Sequence, residues 1–303
     1  MVDYNNILIN YINRIVIIGA TGFIGSALLE YFNNCGITTL GISSIHLGNS
    51  EQAAINYLQD NICSDDVVFV LSAITPDKTT DSFDTFIKNV RIATIICTAL
   101  KHKNLPNIIY FSSDAVYAFD NIAISETTRV SPDSLYGMMH AVREKMFQET
   151  FKDNLLIIRS TQVYGVSDTH NSYGPCRMLR SAIKENKIYL FGEGLETRDH
   201  IFIYDLVKIT VLLLKNNYTG IVNAVTGVSV SFKYIAHLLS DIMTTKKLEV
   251  ISVPSQNPVT YRQFDNSKMI MTLKNFKCLS IEDGLNNMYV NIKVGKIDAE
   301  QIV

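Results

Sequence analysis

The sequence predicts an α/β protein built on a doubly wound parallel sheet, with a smaller C-terminal lobe. Three observations carry that expectation. A run of four aliphatic residues, Ile15-Val16-Ile17-Ile18, is followed at once by glycines at 19, 22 and 25 and by a helical pattern. Apolar strand segments then alternate with helical ones as far as Ser160, which implies parallel strands joined by right-handed crossovers. Beyond Tyr164 the alternation loosens into a stretch punctuated by Gly165, Gly174-Pro175, Gly192 and Gly194, as expected of binding loops.

Residues 1–13 precede the first strand and read as a short leading helix or a loosely held arm, with no chemistry assigned to them. The unbroken apolar character of residues 15–18 suits a strand buried on both faces. The glycines after it let the backbone turn tightly into a helix, continued by Ser26-Ala27-Leu28-Leu29-Glu30-Tyr31-Phe32. A helix start free of obstructing side chains offers N–H groups and a positive dipole end to a pyrophosphate. The spacing G-x-x-G-x-x-G is one residue wider at its first gap than the common dinucleotide fingerprint, but its strand and helix context makes it a nucleotide-binding, Rossmann-type signal. Gly19, Thr21, Gly22, Phe23, Ile24 and Gly25 are the candidate pyrophosphate contacts.

Residues 36–42 read as the second strand. Its end, Ile42-Ser43-Ser44-Ile45-His46, lacks the carboxylate that binds the adenosine ribose of NAD and would repel a 2′-phosphate. Two hydroxyls there, Ser43 and Ser44, favour NADP, with NAD as the alternative and an ordinary polar loop as the competing reading. Residues 65–71 form a third buried strand that delivers Ser72 and Ala73 to the carboxyl edge, where ligands of such sheets sit. Residues 83–100 form a long helix, apolar on more than one face, which points to packing against a second subunit and a homodimer.

A strand at 107–111 leads into Ser112-Ser113-Asp114, a helix runs from near Ser134 to about Phe151, and 155–160 is the next strand. Residues 201–214 and 221–225 read as a helix and an edge strand returning to the first domain. The division is thus a dinucleotide-binding domain at 14–163, returning at about 199–225, and a substrate lobe from 164–198 and 226–303, with the segment from Pro254 to Pro258 in that lobe.

Composition narrows the function. The chain has 303 residues, 47% of them hydrophobic, ample for a core. A net charge of -2 and the lack of any Lys/Arg run give no electrostatic footprint for nucleic acid. The five cysteines are scattered with no C-x-x-C pair, so reduced thiols are expected and neither disulfides nor a metal site. With no basic-then-apolar leader and no uncharged apolar run of bilayer length, the expectation is a cytoplasmic protein without a membrane partner.

Tyr136 and His140, four residues apart on one helix, face the same way. A tyrosine of ordinary pKa, about 10, is a poor base at neutral pH and needs a nearby cation, for which His140 is the candidate. Ser113, at a strand end on the same edge, could hydrogen-bond a substrate oxygen; simple packing of Tyr136 or His140 at the helix start competes with these roles.

Taken in order, Gly19-Ala20-Thr21-Gly22-Phe23-Ile24-Gly25, Ser112-Ser113-Asp114-Ala115-Val116-Tyr117, the Tyr136 helix and Arg198-Asp199-His200-Ile201-Phe202-Ile203-Tyr204-Asp205 resemble the extended short-chain dehydrogenase/reductase family acting on nucleotide sugars, over residues 14 to about 290. The resemblance implies that Ser113 and Tyr136 flank the sugar C4 oxygen, with Asp114 on the substrate side. The family lysine four residues after the tyrosine, which binds the nicotinamide ribose and lowers the tyrosine pKa, is His140 here, a pH-dependent substitute. Lys145 lies too far along the helix to share the face.

Where the family's 4,6-dehydratases carry Glu this chain has Ala115, and it lacks the cysteine of the 3,5-epimerases, so redox work at one carbon remains. The reading is 4-keto reduction in making a sugar for a surface polysaccharide, with a nucleotide-sugar 4-epimerase and a non-catalytic dinucleotide sensor or scaffold as alternatives. On the substrate side the resemblance implies Asn171 and Arg177 in the segment entering the lobe, and Arg198 on the diphosphate. Arg262 joins them as a second phosphate contact, since a guanidinium presents a planar, permanently charged fork of donors.

Overall fold

In chain order the elements are β1 (Arg14–Ile18), α1 (Phe23–Asn34), β2 (Thr39–Ile42), α2 (Glu51–Asn61), β3 (Asp66–Val70), α3 (Ser82–Leu100), β4 (Asn107–Ser113), α4 (Leu135–Phe151) and β5 (Leu155–Ser160). There follow β6 (Gln162–Tyr164), α5 (Pro175–Glu185), β7 (Lys187–Phe191), β8 (Thr197–Phe202), α6 (Ile203–Lys215), β9 (Gly220–Ala224), β10 (Ser229–Ser231), α7 (Phe232–Ile242), β11 (Glu249–Val253), α8 (Ser267–Thr272) and α9 (Ile281–Lys293). The structure, a computed structural model, describes residues 12–47, 50–75, 82–119, 123–168, 174–244, 247–255, 258–274 and 276–293. Most of the leading segment, residues 1–11, and residues 256–257 of the segment from Pro254 to Pro258 lie outside the described residues.

Six strands form the central sheet in the order β2-β1-β3-β4-β5-β9. β1 pairs in parallel with both β2 and β3, and the parallel pairing continues from β3 to β4 to β5. The chain therefore reverses its direction of winding at β1, and the carboxyl ends of β1 and β3 open the crevice where such sheets bind ligands. All five residues of β3 are buried, as are the last four of β1, which matches a sheet covered by helices on both faces. On one face Val16, Ile18, Val68, Val70, Ile108 and Ile157 pack with Leu58 of α2, Ile96 of α3 and Phe147 of α4.

The elements depart from the sequence expectation where local chemistry intervenes. The second strand begins at Thr39 rather than 36, because Gly36, at φ +72°, completes the exit from α1 with its N–H on the Asn33 carbonyl at 3.0 Å. α2, capped by Ser50 accepting from the Ala53 N–H at 3.1 Å, had no apolar signal because only Ala54 and Leu58 are buried. The helix expected from 201 starts at Ile203, since Ile201 and Phe202 complete β8.

Contacts divide the chain into two units. The first holds residues up to 118, 128–160 and 207–223, and the second holds 119–127, 161–206 and 224 onward. The second unit contains a three-stranded sheet, β10-β8-β6, and the parallel pair β11-β7. Its loops are tied by Asp199 on β8, which accepts from the Thr161 hydroxyl (3.1 Å), the Thr226 N–H (3.0 Å) and hydroxyl (2.9 Å), and the Gly227 N–H (2.7 Å).

A buried ion pair binds the first unit's layers. Glu144 on α4 receives two parallel bonds from Arg159 on β5, Nε at 2.9 Å and Nη2 at 2.6 Å, and a third from the Ser112 hydroxyl of β4 at 2.6 Å. Arg159 also donates to the Tyr117 hydroxyl at 2.7 Å, which donates to Asn223 of β9 at 2.8 Å. Removal of one member leaves the other charge uncompensated in the interior. Glu144→Ala is therefore expected to lower the unfolding free energy by about 3–5 kcal/mol in urea titration. Replacing both partners, as Glu144→Met with Arg159→Leu, should restore much of that loss.

Candidate active site

The glycine segment folds as a cradle. Gly19, at φ +101°, lies so close to the end of β3 that a Cβ there would stand 2.6 Å from the Ser72 nitrogen. On Gly25 a Cβ would come within 2.1 Å of the Gly19 carbonyl oxygen, so the first turn of α1 rests directly on the loop. α1 starts at Phe23 with no side-chain cap and no acidic residue in its first turn, which leaves its amide groups for an anion. Thr21 is exposed, Phe23 and Ile24 are half-buried, and Gly22 caps the helix with extended backbone. Gly41 of β2 packs a would-be Cβ 3.0 Å from Ala20, a close approach absent from the sequence reading. These features fit a dinucleotide pyrophosphate.

After β2, Ser43 turns onto His46, whose Nδ1 lies 3.1 Å from the Ser43 N–H and 3.2 Å from its hydroxyl, and the His46 ring stacks on Tyr57. Ser44 is exposed. After β3, the Ser72 N–H bonds to the Ile18 carbonyl at 2.9 Å. Asn89 of α3 holds the following residues, accepting from the Ile74 N–H at 2.8 Å and donating to its carbonyl at 2.9 Å. Nothing in the sequence marks Asn89, one of several polar residues of α3 and among the few of them that are buried.

Ser113 ends β4, where its hydroxyl accepts from the Ala115 N–H at 3.1 Å and donates to Asp114 at 3.3 Å. α4 begins opposite this turn, capped by Ser134 accepting from the Gly137 N–H at 3.1 Å. Gly137 sits against the turn so tightly that a Cβ would be 2.0 Å from the Ala115 oxygen. That contact sets Tyr136 beside Ser113, and its signal in sequence was only a glycine in a helix start. Burial and the Asp114 carboxylate push the Tyr136 phenol up to about 12, opposed by the Ser113 hydroxyl and by Arg143. The Tyr136 ring also borders a small cavity of about 30 Å³, lined with Thr85, Phe86 and Asn89 of α3 and Met139 of α4.

His140 does not supply the expected cation. Its ring meets Tyr136 edge to face at 4.8 Å between centroids, and Nδ1 lies 2.7 Å from the Tyr110 hydroxyl. Burial, with Arg143 adding to it, pulls its pKa down to about 3, so the imidazole is neutral and its charge does not vary near pH 7. A permanent cation nearby is Arg143, one turn further along α4 and fully buried. Its Nη2 donates to the Ser72 carbonyl at 2.8 Å, and its guanidinium lies 5.1 Å from the centre of the Tyr110 ring. Seven residues after Tyr136, Arg143 shares its helix face, a spacing that would have revealed it. Lys145 is exposed.

In the second unit Arg198 and Arg262 converge on one aromatic ring, that of Phe119, at 5.9 and 5.1 Å. Arg262 is buried and also lies 5.4 Å from Phe264. Arg198 donates to the Thr260 carbonyl at 3.1 Å and hydroxyl at 2.7 Å, and approaches Glu196 at 3.5 Å. Arg177, in the first turn of α5, lies 6.0 Å from the Phe191 ring, apart from this pair. Asn171 lies outside the described residues. Phe119 had no signal in the sequence.

Fold and cradle together define a dinucleotide-binding protein of the doubly wound class. Residues 15–225 match the NAD dependent epimerase/dehydratase family, and the chain belongs to it. An uncharacterized UDP-glucose epimerase of Bacillus subtilis (strain 168), YtcB, is 25% identical over 90% of this chain and 96% of its own length. Among solved structures, the ADP-L-glycero-D-manno-heptose-6-epimerase of Helicobacter pylori superposes with a TM-score of 0.81 at 17% identity, over 95% of this chain and 99% of that one. The UDP-glucuronic acid 4-epimerase of Bacillus cereus, determined with UDP-glucuronic acid and NAD, gives 0.77 at 24% identity, over 93% and 99%. No helix among the described residues is long and apolar enough to cross a membrane.

Two measurements check this geometry. Gly137→Ala should displace the start of α4 from the Ser113 turn and reduce turnover by about 10²-fold, with dinucleotide affinity nearly unchanged, as steady-state kinetics and calorimetry would read. His140 and His200 are both buried with folded pKa values of about 3, against an unfolded value of about 6.5. Between those values the unfolded chain binds protons that the folded chain does not, so stability falls as the pH drops through that window. Each histidine should remove about 1–2 kcal/mol between pH 6.5 and 5, and His140→Gln should flatten the slope in denaturant titrations.

Proposed function

We propose that the protein is an NAD(P)-dependent oxidoreductase acting at C4 of a nucleotide-activated sugar. The observation that carries this reading is the pairing of Ser113 and Tyr136, held together by the Gly137 contact on the same unit as the glycine cradle. When bound, the nicotinamide ring supplies the hydride acceptor or donor for the sugar carbon. Tyr136 takes the proton of the C4 hydroxyl on its phenolic oxygen during oxidation and returns it during reduction. Ser113 hydrogen-bonds the same sugar oxygen and stabilises the charge it gains. The Asp114 carboxylate opposes the phenolate and so favours the protonated Tyr136, the form that gives its proton to the sugar oxygen in reduction. Arg198 and Arg262, set over Phe119, are the holders of the diphosphate.

Between reactions, 4-keto reduction for a surface-polysaccharide sugar is the first reading. A 4-epimerase is the second, favoured by the Bacillus subtilis relative's name. An epimerase purifies with its nicotinamide tightly held, whereas a reductase exchanges it freely. The turn after β2 carries no carboxylate to repel a 2′-phosphate, which supports NADP, and no arginine to grip one, which leaves NAD as its rival. Phe83 and Ile87, one turn apart on α3, are 70% and 61% exposed and support a homodimer through that face. The compartment we propose is the cytoplasm.

Incubation with each dinucleotide and a panel of UDP-, dTDP- and GDP-sugars, followed at 340 nm and by analysis of the C4 epimers, tests the reading. Tyr136→Phe should lower turnover by about 10²–10⁴-fold and Ser113→Ala by about 10²-fold, both with intact cofactor binding. Cofactor binding without redox change on any sugar would instead indicate a sensor or scaffold.

A further inference from the structure

The position that holds a lysine in the resembled family holds a neutral imidazole here, and the charge has reappeared three residues later. Arg143 is fully buried, yet no carboxylate pairs with it among the described residues; its neighbour Glu144 is committed to Arg159 and Ser112. A buried guanidinium held only by a carbonyl, an aromatic face and a 3.8 Å contact to the Met139 sulfur is an expensive arrangement for packing alone. Around it, three buried side-chain atoms have no hydrogen-bond partner among the described residues: Arg143 Nε, His140 Nε2 and the Ser72 hydroxyl. They belong to residues joined by contacts, Arg143 to Ser72 at 2.8 Å, Arg143 over Tyr110 and His140 to Tyr110 at 2.7 Å. Unsatisfied polar atoms in such a cluster mark a place for a polar ligand.

We propose that Arg143 is the permanent cation of this active site, replacing the lysine from two turns beyond Tyr136, while neutral His140 and Ser72 hydrogen-bond the ribose hydroxyls of the nicotinamide half of the cofactor. This rests on the dinucleotide reading above. Arg143 is a positioning residue: it acts on Tyr136 through space and holds the Ser72 loop. The titratable groups that feel its charge are Tyr136 and His140 of α4, Tyr110 of β4 and Cys97 of α3, while Asp114 acts on Tyr136 and Glu144 on Tyr110. Only Arg143 draws the Tyr136 pKa down by its charge, and it also repels a proton from His140. The proposal requires the Tyr110 hydroxyl, 2.7 Å away, to donate to Nδ1, which puts the imidazole proton on Nε2, toward a ribose oxygen.

The test is direct titration of NADH and NADPH by fluorescence from pH 5.5 to 8.5, with no sugar present. The wild-type dissociation constant for the preferred cofactor should show no histidine step over that range. Arg143→Met should raise it about 10-fold at every pH, and Arg143→Lys should stay within about threefold. Moving the charge, as His140→Lys with Arg143→Ala, should recover most of the affinity, which a purely structural arginine would not permit. Should Arg143→Met fail to fold, the exchanged pair and Arg143→Lys decide. Wild-type affinity in a folded Arg143→Met, an exchanged pair as weak as Arg143→Met, or a step near pH 6.5 abolished by His140→Gln would each overturn the proposal. Absence of any dinucleotide binding by the wild type would instead remove the cofactor reading beneath it.

Discussion

Two opposite charges stand side by side in the interior on α4, and the first unit is arranged around keeping them apart in function. Glu144 is neutralised by the two-pronged bond from Arg159 and by the Ser112 hydroxyl, so that β4, α4 and β5 are joined at one point. Arg143 is left outside this pair. Successive helix residues point about 100° apart, so Glu144 turns toward β5 while Arg143 turns toward the Ser72 loop. The ion pair gives the layer its register, and the unpaired guanidinium gives the crevice its sign.

Close backbone contacts do the rest of the positioning. Gly25 on Gly19, Gly19 on Ser72 and Gly137 on Ala115 each bring two segments nearer than a Cβ allows. The first two place a helix start against the crevice between β1 and β3. The third presses α4 onto the turn of Ser113. The cradle and the Ser113–Tyr136 juxtaposition are thus produced by the same device, removal of one carbon atom where chains must touch.

The central sheet was legible because its strands are unbroken apolar runs, a pattern that survives without tertiary knowledge; residues 155–160 were bounded as the structure has them. The polar α2 and the three-residue strands β6 and β10 were not, since one buries two side chains and the others are too short to carry a period. In the candidate site, an ordered set of motifs pointed to Ser113 and Tyr136, which the fold brings side by side. The charge was misplaced for a physical reason: residue type suggests what a histidine can do in water, whereas its protonation is set by burial and by Arg143. Gly137 and Phe119 were hidden because their meaning lies in segments distant in sequence, Ala115 for one and Arg262 for the other.

Arginine differs from the lysine it replaces in ways that suit this pocket. A lysine moved into a desolvated site can relieve the cost of burial by losing its proton, and its charge then depends on pH and on what is bound. A guanidinium has no such escape. Its charge persists, and its flat shape lies on Tyr110 while one nitrogen holds the Ser72 carbonyl. Tyr110 thereby faces the cation with its ring and His140 with its hydroxyl, and couples the two. On the proposed assignment the charge belongs to Arg143 and the ribose contact to a neutral ring, which separates electrostatics from hydrogen bonding. A site built this way keeps its field constant across the pH range in which an imidazole in water would change its own.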